Sequence, residues 1–160
     1  MIKIIFVCTG NICRSPIAEG IMKNRFQQDN RSDYSVTSMG THGLDGNSAS
    51  QYAIEVCAEN GINIADHIAR ALVPDELENS THVFVMEPIH IDYIFTFFPK
   101  IKHKTYLLAS WPDRKTKKLA IKDPVGGSIS VFRKTFTELS IHIDRVYPKI
   151  IGDLILHTPG

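Results

Sequence analysis

Apolar positions along the chain fall into two kinds of run. Ile2 to Val7 is apolar almost without a break, the pattern of a strand buried on both faces of a parallel sheet. Tyr34 to Ser38, His82 to Met86 and Thr105 to Leu108 read as three further short strands. Between and after them apolar residues recur at helical spacing. Ala18, Ile21, Met22 and Phe26 mark one stripe, Ala49, Ala53, Val56 and Cys57 a second, and Phe132, Phe136, Leu139, Ile143 and Val146 a third. Ser15 as cap and Pro16 at the first helical position predict a helix running to about Gln28. Asn47 or Ser48 caps the next helix, which Gly61 stops, and Pro88 opens another toward Phe97. The last begins after Gly127 and is expected to end or kink at Pro148.

Strand followed by helix, repeated, predicts an α/β fold with a parallel sheet covered by helices on both faces. Ligands of such open sheets bind beyond the carboxyl ends of the strands. Cys8 stands at that end of the first strand, where the chemistry of the fold is usually found.

Composition narrows the classes. No repeat, low-complexity tract or linker divides the 160 residues, so residues 1–160 are expected to form one domain. The formal net charge is +1, and the densest basic cluster, Arg114, Lys115, Lys117 and Lys118, reads as a solvated loop. No nucleic-acid partner is expected on that balance. The apolar run Ile4–Cys8 is too short for a secretory leader or a membrane span, so no membrane partner is expected either. Three cysteines, an odd count, argue against a disulfide framework and for a reducing, cytoplasmic setting.

The stretch Val7-Cys8-Thr9-Gly10-Asn11-Ile12-Cys13-Arg14-Ser15-Pro16 joins the first strand to the first helix. A loop in that position can turn successive N–H groups inward as an anion nest, with the helix dipole aimed at the same point. Gly10 is expected to ease the backbone there. Arg14 adds a planar fork suited to two phosphate oxygens. The same positive field favours a thiolate at Cys8, and the Ser15 hydroxyl is placed to donate to it. Together these parts serve thiolate attack on phosphorus. The other readings of Cys8 are an inert core cysteine, which leaves Arg14 unexplained, and half of a zinc site with Cys13. The zinc site needs two more ligands, whereas Cys57 follows a core pattern and the seven histidines are scattered. No metal or cofactor is therefore expected. Farther along, Asp123-Pro124-Val125-Gly126-Gly127 makes a loop able to carry a carboxyl group over an anion site, supplying the proton donor that a leaving oxygen needs.

Four segments, VCTGNICRSPIAEG at the start, SMGT at Ser38 to Thr41, DHIAR at Asp66 to Arg70 and DPVGG at Asp123 to Gly127, occur in an order that resembles the low-molecular-weight protein tyrosine phosphatases. The resemblance covers almost the whole chain. It implies a three-layer α/β/α, Rossmann-like fold of the phosphatase I type with a four-stranded parallel sheet. It implies Cys8 as a nucleophile that becomes phosphocysteine, residues Thr9 to Arg14 as the phosphate loop, and Asp123 as general acid and then base. Asn11 and Ser15 would shape the loop, with Ser38 and His67 in a hydrogen-bond network behind it. Cys13 would be a redox partner of Cys8. A phosphorylated protein or peptide is the implied substrate, inorganic phosphate the product, and a monomer the implied state.

Two departures bear on the substrate. Family members that act on phosphotyrosine commonly carry aromatic walls, whereas here Leu44 and Val125 stand in those segments and Ile12 lies in the loop. Trp111 is a candidate wall from elsewhere. The DPVGGS ending also resembles the bacterial protein-arginine phosphatases, which carry threonine where this chain has Ile12. Isoleucine offers a guanidinium only apolar contact, so an aryl ester is favoured and phosphoarginine is the alternative. Arsenate reduction by a thiol relay would need two further central cysteines, and only Cys57 is present. A phosphate-binding module without catalysis would have no use for both Cys8 and Asp123.

Overall fold

The computed structural model describes residues 1–113 and 120–157, with the side chains of 154–157 left aside. The basic cluster Arg114, Lys115, Lys117 and Lys118 lies outside the described residues. Four strands, β1 (Ile2–Cys8), β2 (Tyr34–Gly40), β3 (His82–Val85) and β4 (Thr105–Leu107), form one sheet in the order β2-β1-β3-β4. All neighbours run parallel, with Ile2 opposite Tyr34, Ile4 opposite His82 and Val83 opposite Thr105. The helices are α1 (Arg14–Gln28), α2 (Gln51–Glu59), α3 (Pro74–Glu78), α4 (Pro88–Phe97) and α5 (Ile129–His157).

The nearly unbroken apolar run of β1 has its reason in the layers. Ile2, Ile4, Phe6 and Cys8 face one core, shared with Ile17, Ile21 and Phe26 of α1, Val56 of α2, and Leu139, Ile143 and Val146 of α5. Ile5 and Val7 face the other, with Leu77 of α3, Val83 and Val85 of β3, and Ile94 of α4. Beyond the exposed Lys3 near its start, both faces of the strand are dry, so period-two alternation has no polar side to express.

From β1 the chain crosses to β2 on one side and later to β3 on the other. The topological switch therefore falls at the carboxyl end of β1, beside Cys8.

Four local expectations are corrected. Helix α1 begins at Arg14, its cap position is Cys13, and no side chain caps it. Ser15 sits inside the first turn, with its hydroxyl engaged elsewhere, so the opening N–H groups stay available. Neither Asn47 nor Ser48 caps α2; Ser50 does, accepting from the Ala53 N–H at 3.5 Å. Asn47 donates to the Leu44 carbonyl instead. Helix α5 does not end at Pro148 but runs on through it to His157. Val146 and Ile150 on either side of the proline are fully buried, and that packing outweighs one lost backbone hydrogen bond. Finally, Gly10 has no positive φ, and a Cβ there would meet only ordinary contacts; the left-handed residue of the loop is Asn11, at φ 59°. The Gly61 stop does appear, at φ 73° with its N–H on the Ala58 carbonyl.

Candidate active site

The loop after β1 has one-sided peptide polarity. Six consecutive carbonyls point away from its centre and are each satisfied. Cys8 accepts from the Thr41 N–H at 2.9 Å, Thr9 from His42 at 2.9 Å and Gly10 from Leu44 at 3.0 Å. Asn11 accepts from His67 Nε2 at 2.7 Å, Ile12 from the Ser50 N–H at 2.8 Å and Cys13 from Ile17 at 3.2 Å. The N–H groups of residues 10–15 have no protein acceptor among the described residues. With no cap on α1, these donors and the helix dipole converge on one place, the requirement for holding an anion.

Gly40 makes this arrangement possible. A Cβ on it would lie 2.4 Å from the Thr9 carbonyl oxygen and 3.1 Å from the Asn11 nitrogen, so only glycine lets β2 pass this close.

Asn11, fully buried, ties the loop to the layer behind it. Its Oδ1 accepts from the Arg70 N–H at 3.0 Å, which leaves Nδ2 to donate to Ser15 Oγ at 2.8 Å and Ser38 Oγ at 2.9 Å. Ser38 Oγ in turn donates a hydrogen bond to Glu19 Oε2 at 2.7 Å. Because Ser15 Oγ accepts from Asn11, its hydroxyl hydrogen is free for Cys8 Sγ, 2.9 Å away. The direction of the chain is thereby set: an O–H donor is aimed at the sulfur, which is the polarity that steadies a thiolate.

Arg14 is 1% exposed. Its Nη1 donates to Glu87 Oε2 and to the Ile121 carbonyl, both at 2.8 Å, and Nη2 lies 3.4 Å from Asp123 Oδ2. Nε is buried without a hydrogen-bond partner. A buried guanidinium held from one side with an unused N–H on the other is a fork awaiting an oxyanion.

Asp123 reaches the site on a turn. Val125 N–H bonds Asp123 Oδ1 at 3.1 Å, Gly127 N–H closes on the Pro124 carbonyl at 2.9 Å, and Gly126 takes φ 79°. Ile121 N–H on the Met86 carbonyl pins the start of the segment to the end of β3.

A cavity of about 310 Å³ stands over the loop, lined by Cys8, Thr9, Gly10, Ile12, Cys13, Arg14, His42, Leu44, Asp123 and Val125. The structure thus brings together the loop, Asp123 and the three apolar wall candidates, with Ser38 and His67 behind. Trp111 is elsewhere, its ring 5.3 Å from Tyr106 and 5.5 Å from Phe84. His42 occupies the wall instead.

Four further residues of the site, His42, Glu87, His90 and Glu19, carry no signal of their own in the sequence. His42, Glu87 and His90 stand in segments with no chemical spacing signal, and the sheet order brings them to the loop; Glu19 lies on α1, five residues after Arg14, where spacing does not set it apart from a surface carboxylate. His90 accepts the Glu87 N–H on Nδ1, so Nε2 carries the proton and donates to Thr9 Oγ1 at 2.9 Å. Burial, and secondarily the Arg14 charge, lowers the His90 pKa to about 4. Burial pushes the Cys13 thiol up to about 11, whereas Cys57, buried in the core, rises to about 12. Among the described residues no group of three or more His, Cys, Asp or Glu side chains could hold a metal, and no helix is long and apolar enough to cross a membrane.

Comparison with known proteins agrees with this geometry. A family model described as low molecular weight phosphotyrosine protein phosphatase matches residues 3–150, and the chain belongs to that family. A protein-arginine-phosphatase of Geobacillus stearothermophilus is 36% identical over 148 residues, 92% of this chain and 95% of that protein. The low molecular weight protein-tyrosine-phosphatase Etp of Escherichia coli K12 is 33% identical over 134 residues, covering 84% of each. Among solved structures, the YwlE arginine phosphatase from Geobacillus stearothermophilus superposes with a TM-score of 0.88 at 34% identity, over 100% of this chain and 99% of that one.

Proposed function

We propose that the chain hydrolyses phosphotyrosine in proteins through a phosphocysteine intermediate. Cys8 Sγ attacks phosphorus in line with the leaving oxygen; the S–P bond forms as the P–O bond to the aryl group breaks. The loop N–H groups and Arg14 Nε hold the equatorial oxygens as their charge shifts. Asp123, over the same space, gives its proton to the departing phenolic oxygen. In the second half it takes a proton from water as that water attacks phosphorus, the S–P bond breaks, and inorganic phosphate leaves. Ser15 steadies the sulfur as thiolate in the resting and departing states.

The observation that carries the choice of ester is the wall. Ile12, Leu44 and Val125 line the cavity with aliphatic groups, which favour a flat ring and themselves offer a guanidinium no acceptor, leaving that role to Asp123 and Thr9. A second reading, protein-arginine phosphatase, is favoured by the 36% identity to a relative of that name.

The test is hydrolysis of matched phosphotyrosine, phosphoarginine and phosphoserine peptides side by side, with the Ile12→Thr variant in parallel. Phosphotyrosine is expected to be cleaved fastest, with Ile12→Thr shifting the ratio toward phosphoarginine. Faster phosphoarginine cleavage by the unaltered protein overturns the choice. Cys8→Ser is expected to abolish turnover; full activity in it would sink the mechanism.

A further inference from the structure

Helix α4 is apolar around most of its circumference. Ile91, Ile94, Phe95 and Phe98 pack into the core on its side of the sheet. Ile89, Tyr93 and Phe97, spaced four apart, make a second stripe that the core does not use. Ile89 is 67% exposed and Phe97 64%. Leaving such groups in water costs hydrophobic free energy that a polar residue would avoid.

The stripe borders the active site through its middle residue, Tyr93. His90, next to Ile89, donates to Thr9 of the loop at 2.9 Å. His42, a wall of the cavity, meets the Tyr93 ring edge-on with centroids 5.4 Å apart. Tyr93 in turn lies 4.8 Å from Phe97. Wall and stripe are one continuous surface, from the cavity mouth outward along α4.

We infer that this surface is a ledge for the substrate polypeptide, taking an apolar side chain near the phosphorylated residue. The inference rests on the phosphatase reading and extends it to substrate sequence. Distance supports that occupant. The two ring separations place Phe97 within the reach of about three extended residues, which span roughly 10 Å. A phosphorylated side chain seated in the loop holds its own backbone at the mouth, and the neighbouring residues then lie over His42, Tyr93 and Phe97. A chain with leucine or valine in that interval covers the exposed rings, and one with serine leaves them wet.

The experiment uses the full chain and two sets of phosphopeptides, phosphotyrosyl and phosphoarginyl, differing only in whether the three residues on each side are leucine or serine. Expected is a preference of about tenfold in kcat/KM for the leucine flank, the equivalent of covering one apolar side chain. In Phe97→Ser and Ile89→Ser the ratio of the two peptides should fall toward one. The ratio can be read on whichever phosphoryl class is cleaved, and p-nitrophenyl phosphate turnover reports the phosphatase reading separately. Absence of a flank preference in the unaltered protein overturns the inference, as does a preference that survives both substitutions. An equal loss on p-nitrophenyl phosphate would make the stripe structural. Sedimentation showing self-association that Phe97→Ser disperses would assign the face to a second copy.

Discussion

Replacing Asn11 by alanine tests whether the loop is held from behind. Asn11 is fully buried at φ 59°, and its amide makes bonds to Ser15, Ser38 and the Arg70 N–H of 2.8, 2.9 and 3.0 Å. Three buried hydrogen bonds at about 1 kcal/mol each come to roughly 3 kcal/mol. Alanine in the left-handed region adds about 1 kcal/mol. A total near 4 kcal/mol lowers the melting temperature of a chain this size by about 10 °C. Asn11→Gly loses the same bonds without the conformational strain, so it should melt about 3 °C above the alanine variant. Both should also lose at least about tenfold in kcat, because Ser15 is no longer turned toward Cys8. Calorimetry gives the first result and p-nitrophenyl phosphate kinetics the second. An alanine variant melting within about 2 °C of the unaltered protein would refute the role given to this residue.

Further outcomes follow from other parts of the site. Asp123→Asn should slow phenyl phosphate by roughly 10²-fold or more and p-nitrophenyl phosphate by much less, since a good leaving group needs little protonation; equal losses would remove Asp123 from the acid role. Gly40→Ala, whose Cβ would stand 2.4 Å from the Thr9 carbonyl, should cost at least about tenfold in kcat/KM as the loop is pushed out of shape. Gly152→Ala, on α5 with open space around it, is the control and should melt slightly higher. For His90, with a pKa of about 4, the unfolded chain binds a proton that the folded one does not at any pH between about 4 and 6.5. Stability therefore falls with falling pH in that window, by about 2 kcal/mol between pH 7.5 and pH 5 from this group. Urea titrations of His90→Gln at pH 7.5 and pH 5 should show a stability difference between the two pH values smaller by that amount than in the unaltered protein, and an unchanged difference would contradict the assignment.

Strand β1 and the stripes of α1 and α5 were readable from sequence because burial on two faces and on one face leave different periods. The loop was readable for a related reason: Cys8, Arg14 and the Ser15-Pro16 pair are consecutive, and a strand-to-helix junction fixes their common direction. Where sequence reading went astray, a local rule met a tertiary demand. Ser15 has the form of a helix cap, yet capping would fill the space that an anion needs, and its hydroxyl belongs to Cys8 and Asn11 instead. Gly10 suggested the strained position, but the left-handed turn falls on Asn11, where side-chain bonds to three partners hold it. Gly40 stands in the SMGT segment, but its reason is tertiary: the backbone of the loop after β1 leaves no room for a Cβ there.

Legible in the residues alone were the sheet class, the position of the nucleophile candidate at a strand end, and the pairing of a candidate anion loop with a distant Asp-Pro turn. Those properties are written in residues adjacent along the chain, or in periods that one element carries alone. Tertiary structure alone decided that Glu87 and the Ile121 carbonyl brace one side of Arg14, that His42 replaces Trp111 as a wall, and that α4 extends that wall with Tyr93 and Phe97. The contacts of Arg14 with Glu87 and Ile121 and of His42 with Tyr93 join residues far apart in sequence. Only the strand order β2-β1-β3-β4 brings them to the carboxyl end of β1, and nothing in local spacing encodes that order.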